Sequence, residues 1–127
     1  MKKLILSPTP KTPKVEFDPD SGKFELSGRS IPENSIELYN PVIQWMDEYV
    51  NAPHDLTKFE IKLEYFNTSS SKCIVEIFRR LERIHGENHK VQVKWYYESE
   101  DEDMMESGED FKEIIKVPIE LVPLEED

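Results

Sequence analysis

The chain has 127 residues, of which 37% are hydrophobic and 34% are charged, and its formal net charge is −11. This length supports one domain with a core of its own. One cysteine excludes an internal disulfide, and three histidines are too few for the Cys/His clusters of zinc or iron–sulfur sites, so we expect no metal and no cofactor. No apolar run reaches the length of a signal peptide or a membrane span, which predicts a cytoplasmic protein without membrane insertion.

The negative charge is concentrated at one end of the chain. Residues 1–97 contain 14 acidic and 14 basic side chains, whereas residues 98–127 contain 13 acidic and 2 basic ones. An acidic surface repels phosphate groups, and no stripe of Lys and Arg interleaved with aromatic residues is present. The sequence therefore argues against binding to nucleic acid and to anionic membranes.

The first half of the chain predicts a lead-in, a hairpin and a helix. Residues 1–14 contain three prolines between 7 and 14, which predicts an extended N-terminal lead-in rather than a helix. Apolar and polar residues alternate on both sides of a turn sequence at 18–22, so the domain is expected to start with a β-hairpin near Val15. Asn40 and Pro41 form a good helix start, which favours a short turn at 35–39 followed by a helix over 41–51.

The second half predicts a strand–helix–strand unit over 56–97. Alternation from Phe59 to Tyr65 indicates a strand, an apolar stripe from Ile74 to Ile84 indicates a helix, and Val91 to Tyr97 indicates a second strand parallel to the first. An acidic segment at 98–110 then leads into a helix and an edge strand that ends near Val122. The predicted order is ββαβαβαβ, a single-domain α/β sandwich with a mixed sheet over residues 15–124 and an acidic tail at 125–127.

Four consecutive hydroxyl side chains stand where the predicted strand meets the helix. They are Thr68, Ser69, Ser70 and Ser71, and they follow Asn67. One interpretation is an ordinary helix cap with additional polar loop residues, since hydroxyl caps are common. The other is a phosphorylation switch, because a phosphate at this position would face free backbone N–H groups and the positive end of the helix dipole.

The acidic segment at 98–110 does not have the register of a calcium-binding loop, which needs alternating oxygen ligands, a glycine at the sixth position and a glutamate at the twelfth. A solvated face is the common explanation for such a run, and a docking surface for a basic patch on a partner is the other. The chain also lacks a glycine-rich phosphate loop and a Ser/His/Asp order. We therefore predict no enzyme, although a small metal-dependent enzyme that uses this segment stays an alternative.

Three segments resemble the SiaC family of bacterial regulatory phosphoproteins. They are residues 32–39, residues 63–72 and the pair 93–97 and 101–104, and the Tyr-Phe-Asn-Thr-Ser-Ser block within 65–70 is the most specific. The resemblance covers residues 8–122. It implies a fold similar to STAS-type anti-sigma-factor antagonists and a partner-switching role in signal transduction.

The resemblance also implies the partners and the site. At the matching position, Thr68 would be phosphorylated by a serine/threonine kinase and dephosphorylated by a PP2C-type phosphatase, and the unmodified form would bind and activate a diguanylate cyclase, which raises cyclic di-GMP and favours biofilm. Asn67, Ser69, Ser70 and Ser71 would form the partner-binding surface around the switch, and Ser71 is an alternative acceptor. The remaining alternative is a constitutive interaction module without phosphorylation.

Overall fold

A computed structural model describes residues 1–125, so the predicted acidic tail lies, apart from Glu125, outside the described residues. Within them the chain forms six strands and three helices in the order βββαβαβαβ. The strands are β1 (Leu4–Leu6), β2 (Lys14–Phe17), β3 (Lys23–Ser30), β4 (Leu56–Phe66), β5 (Lys90–Glu98) and β6 (Ile119–Leu124), and the helices are α1 (Ser35–Tyr49), α2 (Thr68–Ile84) and α3 (Glu102–Ile114).

The six strands lie in one mixed sheet in the same order as in the chain. β1, β2 and β3 pair antiparallel, whereas β3, β4, β5 and β6 pair parallel. Crossovers between parallel strands are right-handed, and here each one moves to the next strand in the same direction, so all three helices pack on one face. The predicted α/β sandwich with a mixed sheet is confirmed, and so are the hairpin and the parallel pairing of β4 with β5.

One row of side chains across the sheet shows which face is buried. Phe24 lies beside Phe59, and Phe59 lies beside Val93, and all three are buried. The helices contact this face through aromatic pairs, which are Phe24 with Tyr49 of α1, Phe59 with Phe78 of α2, and Trp95 with Phe111 of α3. The opposite face carries mainly Lys and Glu side chains, and none of the described helices covers it. The molecule therefore has two layers.

The predicted order ββαβαβαβ left the lead-in without a strand, but the structure has one there. Leu4–Leu6 form an additional edge strand that pairs with β2, with Leu4 beside Phe17. The indole N–H of Trp45 donates a hydrogen bond to the carbonyl of Lys2 at 2.8 Å and fixes this segment against α1. Both contacts come from residues distant in sequence, which is why the local pattern of prolines gave no sign of them.

The first helix begins six residues earlier than predicted. Asn34, not Asn40, is the N-cap, and its side chain accepts a hydrogen bond from the N–H of Glu37. Pro41 lies inside the helix on its exposed side, where the carbonyl left without a proline N–H can be hydrated. Tyr39 and Val42, on either side of the proline, are buried. Burial of Tyr39 and Val42 thus stabilises this part of the helix by more than the loss of one helical hydrogen bond destabilises it.

The acidic segment at 98–110 is itself largely helical, whereas the sequence analysis predicted that the helix follows this segment. α3 begins at Glu102, and Asp101 caps it by accepting a hydrogen bond from the N–H of Met104. Carboxylates near a helix N-terminus are favoured by the helix dipole, so the acidic run stabilises the start of α3 instead of preventing it. Gly108 lets this helix approach the sheet, because a Cβ atom there would lie 2.6 Å from Trp95 and from Leu121.

A β-bulge changes the direction of the side chains at the end of β4. Gly28 of β3 pairs with Leu63, but Arg29 pairs with Tyr65, so Glu64 is an extra residue on β4. The alternation predicted from Phe59 to Tyr65 therefore fails after Leu63. Phe66 packs against the Trp95 ring at 5.9 Å between centroids, while the side chain of Tyr65 is 56% exposed.

Candidate functional site

The predicted site lies at the edge of the sheet where the parallel strands end and the helices begin. Ligands and partners of parallel α/β sheets are usually bound at this carboxyl edge. Asn67 caps α2, since its side-chain oxygen accepts hydrogen bonds from the Ser70 N–H at 2.9 Å and from the Ser69 hydroxyl at 3.1 Å. The cap is thus an asparagine, and the interpretation of the hydroxyl run as the helix cap is wrong.

The four hydroxyls have different environments. Thr68 is exposed, and its hydroxyl has no hydrogen-bond partner within residues 1–125. Ser69 is exposed but hydrogen-bonded, and the Ser71 hydroxyl donates to the Thr68 carbonyl at 2.6 Å. Ser70 is fully buried, which removes it from the predicted partner-binding surface. Thr68 is therefore the one hydroxyl of the run that is both accessible and without a partner among the described residues.

Ser70 instead belongs to a buried chain of hydroxyl groups beneath the site. Its Oγ donates to the Ser30 carbonyl at 3.1 Å and accepts from the Ser30 hydroxyl at 2.8 Å, and Ser30 Oγ lies 2.6 Å from the hydroxyl of Tyr39. Burial raises the pKa of Tyr39 to about 12, although its hydrogen bond with Ser30 acts in the opposite direction. This chain joins β3, α1 and α2, so it fixes the first turn of α2 from the inside.

A second link joins the N-termini of two helices at the surface. The hydroxyls of Ser35, in the first turn of α1, and Ser69, in the first turn of α2, are 2.5 Å apart. Ile36 follows Ser35 and is 76% exposed. The link brings Ile36 and Thr68, each of which is next in sequence to one of the two linked serines, to neighbouring helix starts on this edge.

Sequence reasoning missed Ile36 and Tyr65 as surface residues. Both belong to apolar patterns, which by themselves predict burial, but the structure leaves both side chains mostly accessible to a partner. The capping side chain of Asn34 was the signal that would have placed Ile36 in a first helical turn. The exposure of Tyr65 follows from the irregular pairing of β3 with β4 beside Gly28, whose φ is +101°. The sequence alone does not show this irregular pairing.

The electrostatic surroundings of Thr68 suit an added anion. Asn67 satisfies the N–H groups of Ser70 and Ser71, so the N–H groups of Thr68 and Ser69 have no acceptor within residues 1–125. Lys72 follows one turn later on α2 and is exposed. Arg79, two turns further along, is instead hydrogen-bonded to Glu82 at 3.0 Å. The local field thus comes from the helix N-terminus and Lys72.

Other chemistry finds little support in the described residues. Within residues 1–125 no group of three or more His, Cys, Asp or Glu side chains is placed to hold a metal ion. Burial raises the pKa of the Cys73 thiol, which opposes formation of a reactive thiolate. The alternative of a metal-dependent enzyme in the acidic segment therefore has no geometric basis in this part of the chain. None of the helices described has the length and apolarity needed to cross a membrane.

Comparisons with known proteins agree with this geometry. A family model described as SiaC family regulatory phosphoprotein matches residues 6–124. An uncharacterized protein of Pseudomonas aeruginosa (strain UCBPP-PA14) is 32% identical over 118 residues, which are 93% of this chain and 94% of the relative.

Solved structures give the same result. The crystal structure of apo-SiaC from Pseudomonas aeruginosa has a TM-score of 0.86 and 31% identity, and the match covers 96% of this chain and 99% of that one. The structure of the diguanylate cyclase SiaD in complex with its activator SiaC, from the same organism, matches with a TM-score of 0.87 and 31% identity over 95% of this chain and 99% of the matched chain.

The fold and the family model together define a regulatory protein rather than an enzyme. The chain belongs to the SiaC family of regulatory phosphoproteins, as the resemblance in the sequence predicted. The more specific resemblance to STAS domains stays a prediction.

Proposed function

We propose that this protein is a phosphorylation switch whose unmodified Thr68 surface binds and activates a diguanylate cyclase, and so regulates cyclic di-GMP and biofilm formation. The observation that carries the proposal is the hydroxyl of Thr68, exposed and without a partner among residues 1–125 beside a helix already capped by Asn67. The similar SiaC chain of Pseudomonas aeruginosa, which forms a complex with the cyclase SiaD as its activator, supports the choice of effector.

The proposed cycle needs two enzymes that act on Thr68. A serine/threonine kinase transfers the γ-phosphoryl group of ATP to the Thr68 oxygen, and a PP2C-type phosphatase hydrolyses the resulting ester. Because the kinase draws on ATP, we place the cycle in the cytoplasm. Thr68 can be modified without disturbing the fold, because its hydroxyl makes no capping or other hydrogen bond to any of residues 1–125.

The effect of the phosphate follows from charge and desolvation. The group adds about −1.5 to −2 charge at neutral pH. A partner that covers Thr68 must remove water from this charge, which costs several kcal/mol unless the partner supplies cations. Since about 1.4 kcal/mol corresponds to a tenfold change in affinity, binding of the unmodified form is expected to be at least tenfold tighter.

Exposed apolar side chains next to Thr68 support a contact surface at this edge. Tyr65 and Ile36 supply buried area on association, while Asn67, Ser69 and Ser71 supply hydrogen-bonding groups around them. Tyrosine is enriched among the residues that dominate binding energy in interfaces. In the chain, Thr68 lies between the apolar Tyr65 and the polar Ser69 and Ser71, and Ser69 is linked to Ser35 beside Ile36. A new charge at Thr68 therefore disrupts the contact most.

The acceptor is tested by mass spectrometry that resolves phosphorylation sites, after incubation of the chain in ATP-supplemented lysate of its own host with phosphatases inhibited. We expect phosphate on Thr68, none in Thr68→Ala, and retention in Thr68→Ser, which keeps the hydroxyl. Ser71→Ala is the matched control and keeps the phosphate. Phosphate on Ser69 or Ser71 in the unaltered chain would reject Thr68 as the acceptor but keep the switch, whereas an unmodified chain would favour the constitutive module.

The effector is tested separately with the diguanylate cyclase of the same host. Thr68→Ala is expected to bind and activate it like the unmodified chain, and Thr68→Asp to bind at least tenfold more weakly. Both variants should unfold within about 2 °C of the unaltered chain, because the Thr68 side chain is exposed and its hydroxyl makes no hydrogen bond within residues 1–125. Equal binding of the two variants would contradict the proposed role of charge at Thr68.

A further inference from the structure

The sheet is split between β4 and β5 at the carboxyl edge. The two strands pair only as far as Ile61 and Trp95, although β4 continues to Phe66 and β5 to Glu98. Beyond that point, among the strands that the structure describes, β4 pairs only with β3 and β5 pairs only with β6. Main-chain N–H and C=O groups of both strands therefore face the split without a ladder partner in the sheet.

The bulge at Glu64 and the packing of α3 account for this separation. The extra residue bends β4 beside β3. On the other side, the Trp95 indole donates to the Met104 carbonyl at 2.9 Å, which holds the first turn of α3 behind the end of β5. The split is thus a consequence of fixed packing and not of a loose strand end.

The split contains a cavity of about 110 Å³, which is room for one side chain of the size of leucine or methionine. Its base is apolar and is formed by Leu63 and Met104, both of which are almost entirely buried. Tyr97 and Leu124 form its sides. An apolar cavity in a split sheet, with main-chain groups at its border, matches the needs of an extended chain that inserts one side chain.

The rim of the cavity is negatively charged. Glu64, Glu98 and Asp101 line it. Among the described residues, Lys62 is the one cation in the lining, and it lies over the ring of Tyr96 at 5.0 Å from its centroid. Glu64 is ion-paired with Arg29 at 3.4 Å, so the free negative charge of the rim comes mainly from Glu98 and Asp101. Glu98 forms no ion pair within residues 1–125, and Glu100 adds a further carboxylate two residues along. An occupant is therefore favoured when basic residues flank the inserted side chain, because opposite charges are complementary across the rim.

We propose that this split is a docking cleft for an extended segment of a protein partner in which one leucine- or methionine-sized side chain stands between basic residues. The docking cleft is a second interaction site, in addition to the proposed contact surface around Thr68. Thr68 is not among the residues that line the cleft, and a phosphate on it adds negative charge, which does not repel a basic segment. Docking in the cleft is thus independent of the unmodified state of Thr68, and one function can fail without the other.

The test uses the full chain labelled with ¹⁵N and three short peptides. The first has the sequence acetyl-Gly-Arg-Leu-Arg-Gly-amide, the second has alanine in place of leucine, and the third has glutamate in place of both arginines. We expect the first peptide to shift the amide resonances of Leu63, Tyr96 and Tyr97, the second to bind at least fivefold more weakly, and the third not to bind.

Two charge-reversal variants distinguish binding in the cleft from attraction by the overall negative charge of the protein. Glu98→Lys changes the rim and is expected to weaken binding of the first peptide at least fivefold, while Glu106→Lys makes the same change of charge on the exposed side of α3 and leaves it unchanged. Thr68→Asp should bind at least as tightly as the unaltered chain. Equal affinity for the leucine and alanine peptides, equal effects of the two reversals, or no shift at the three cleft residues would each overturn the proposal.

Discussion

Replacement of Gly108 by alanine sets two effects against each other. Alanine is favoured over glycine within a helix by about 1 kcal/mol, so helix propensity alone predicts a more stable protein. The structure predicts the opposite. The added Cβ would lie 2.6 Å from Cδ1 and 2.8 Å from Nε1 of Trp95, and 2.6 Å from Cδ2 of Leu121. All three distances are shorter than any normal contact.

The neighbours decide the sign because they differ in freedom to move. Leu121 is half-buried, and the end of its side chain can rotate away. Trp95 is fully buried between the rings of Phe66 and Phe111, and its N–H is hydrogen-bonded to the Met104 carbonyl of the same helix. Overpacking costs about 1–3 kcal/mol, and weakening this hydrogen bond adds about 1 kcal/mol. After the gain in propensity, we expect a net loss of about 1–3 kcal/mol.

Chemical denaturation and thermal unfolding measure this loss. For a chain of this size, about 1–3 kcal/mol corresponds to a decrease in Tm of about 4–11 °C. Gly86→Ala is the matched control, because a Cβ at Gly86 meets no atom within 4 Å, and its Tm should change by less than about 2 °C. Trp95→Phe should lower the free energy of unfolding less in the Gly108→Ala variant than in the unaltered chain. An unchanged or higher Tm for Gly108→Ala would refute the argument from packing.

Three further predictions concern the supports of the site. Ser70→Ala removes a buried link and should cost about 1–3 kcal/mol in urea denaturation, whereas Ser71→Ala, at a part-exposed hydroxyl, should cost no more than about 0.5 kcal/mol. The folded state raises the pKa of Tyr39 from 10.0 to about 12, so its contribution to stability is complete below pH 10.0 and is lost as the pH rises toward 12. Tyr39→Phe should remove this part of the alkaline decline in Tm, and an identical decline in both proteins would contradict the assignment. For Glu82, burial opposes ionisation, but hydrogen bonds from Arg79 and from the Lys116 N–H hold its pKa below 4.5; its contribution is therefore present above pH 4.5 and is lost on acidification. Glu82→Gln should flatten the acid limb of a Tm profile measured between about pH 3 and 6, and an unaltered limb would show that the pKa is not lowered.

The sequence predicted those elements whose patterns are local. The stripe on α2 and the alternation in β5 are carried by residues within one element, and the structure confirms both. The position of Thr68 between a strand and a helix was predicted from the sequence and is confirmed, whereas its role as the site stays a prediction. The burial of Ser70 was not predicted, because Ser70 is turned inward by contacts with Ser30, which is 40 residues away.

The errors arise from contacts that are distant in sequence. Leu4 and Phe17 pair across a proline-rich connection, and no local pattern reports this. The bulge at Glu64 depends on Gly28 of the neighbouring strand. The prediction placed the helix start at Asn40, but burial of Tyr39 favours a helix that begins after Asn34. Each outcome was decided by packing between elements, which residue types alone do not encode.

The agreement between strand order and chain order has a consequence for biosynthesis. From β2 onward, each described strand pairs with the strand that precedes it in the chain, so this neighbour is already synthesised when the strand is made. A chain that emerges from the ribosome can add one strand and one helix at a time. Before β6 is made, β5 is the open border of the sheet, with Val93 and Trp95 on its apolar side. The last strand therefore ends the period in which a growing chain is most prone to aggregate.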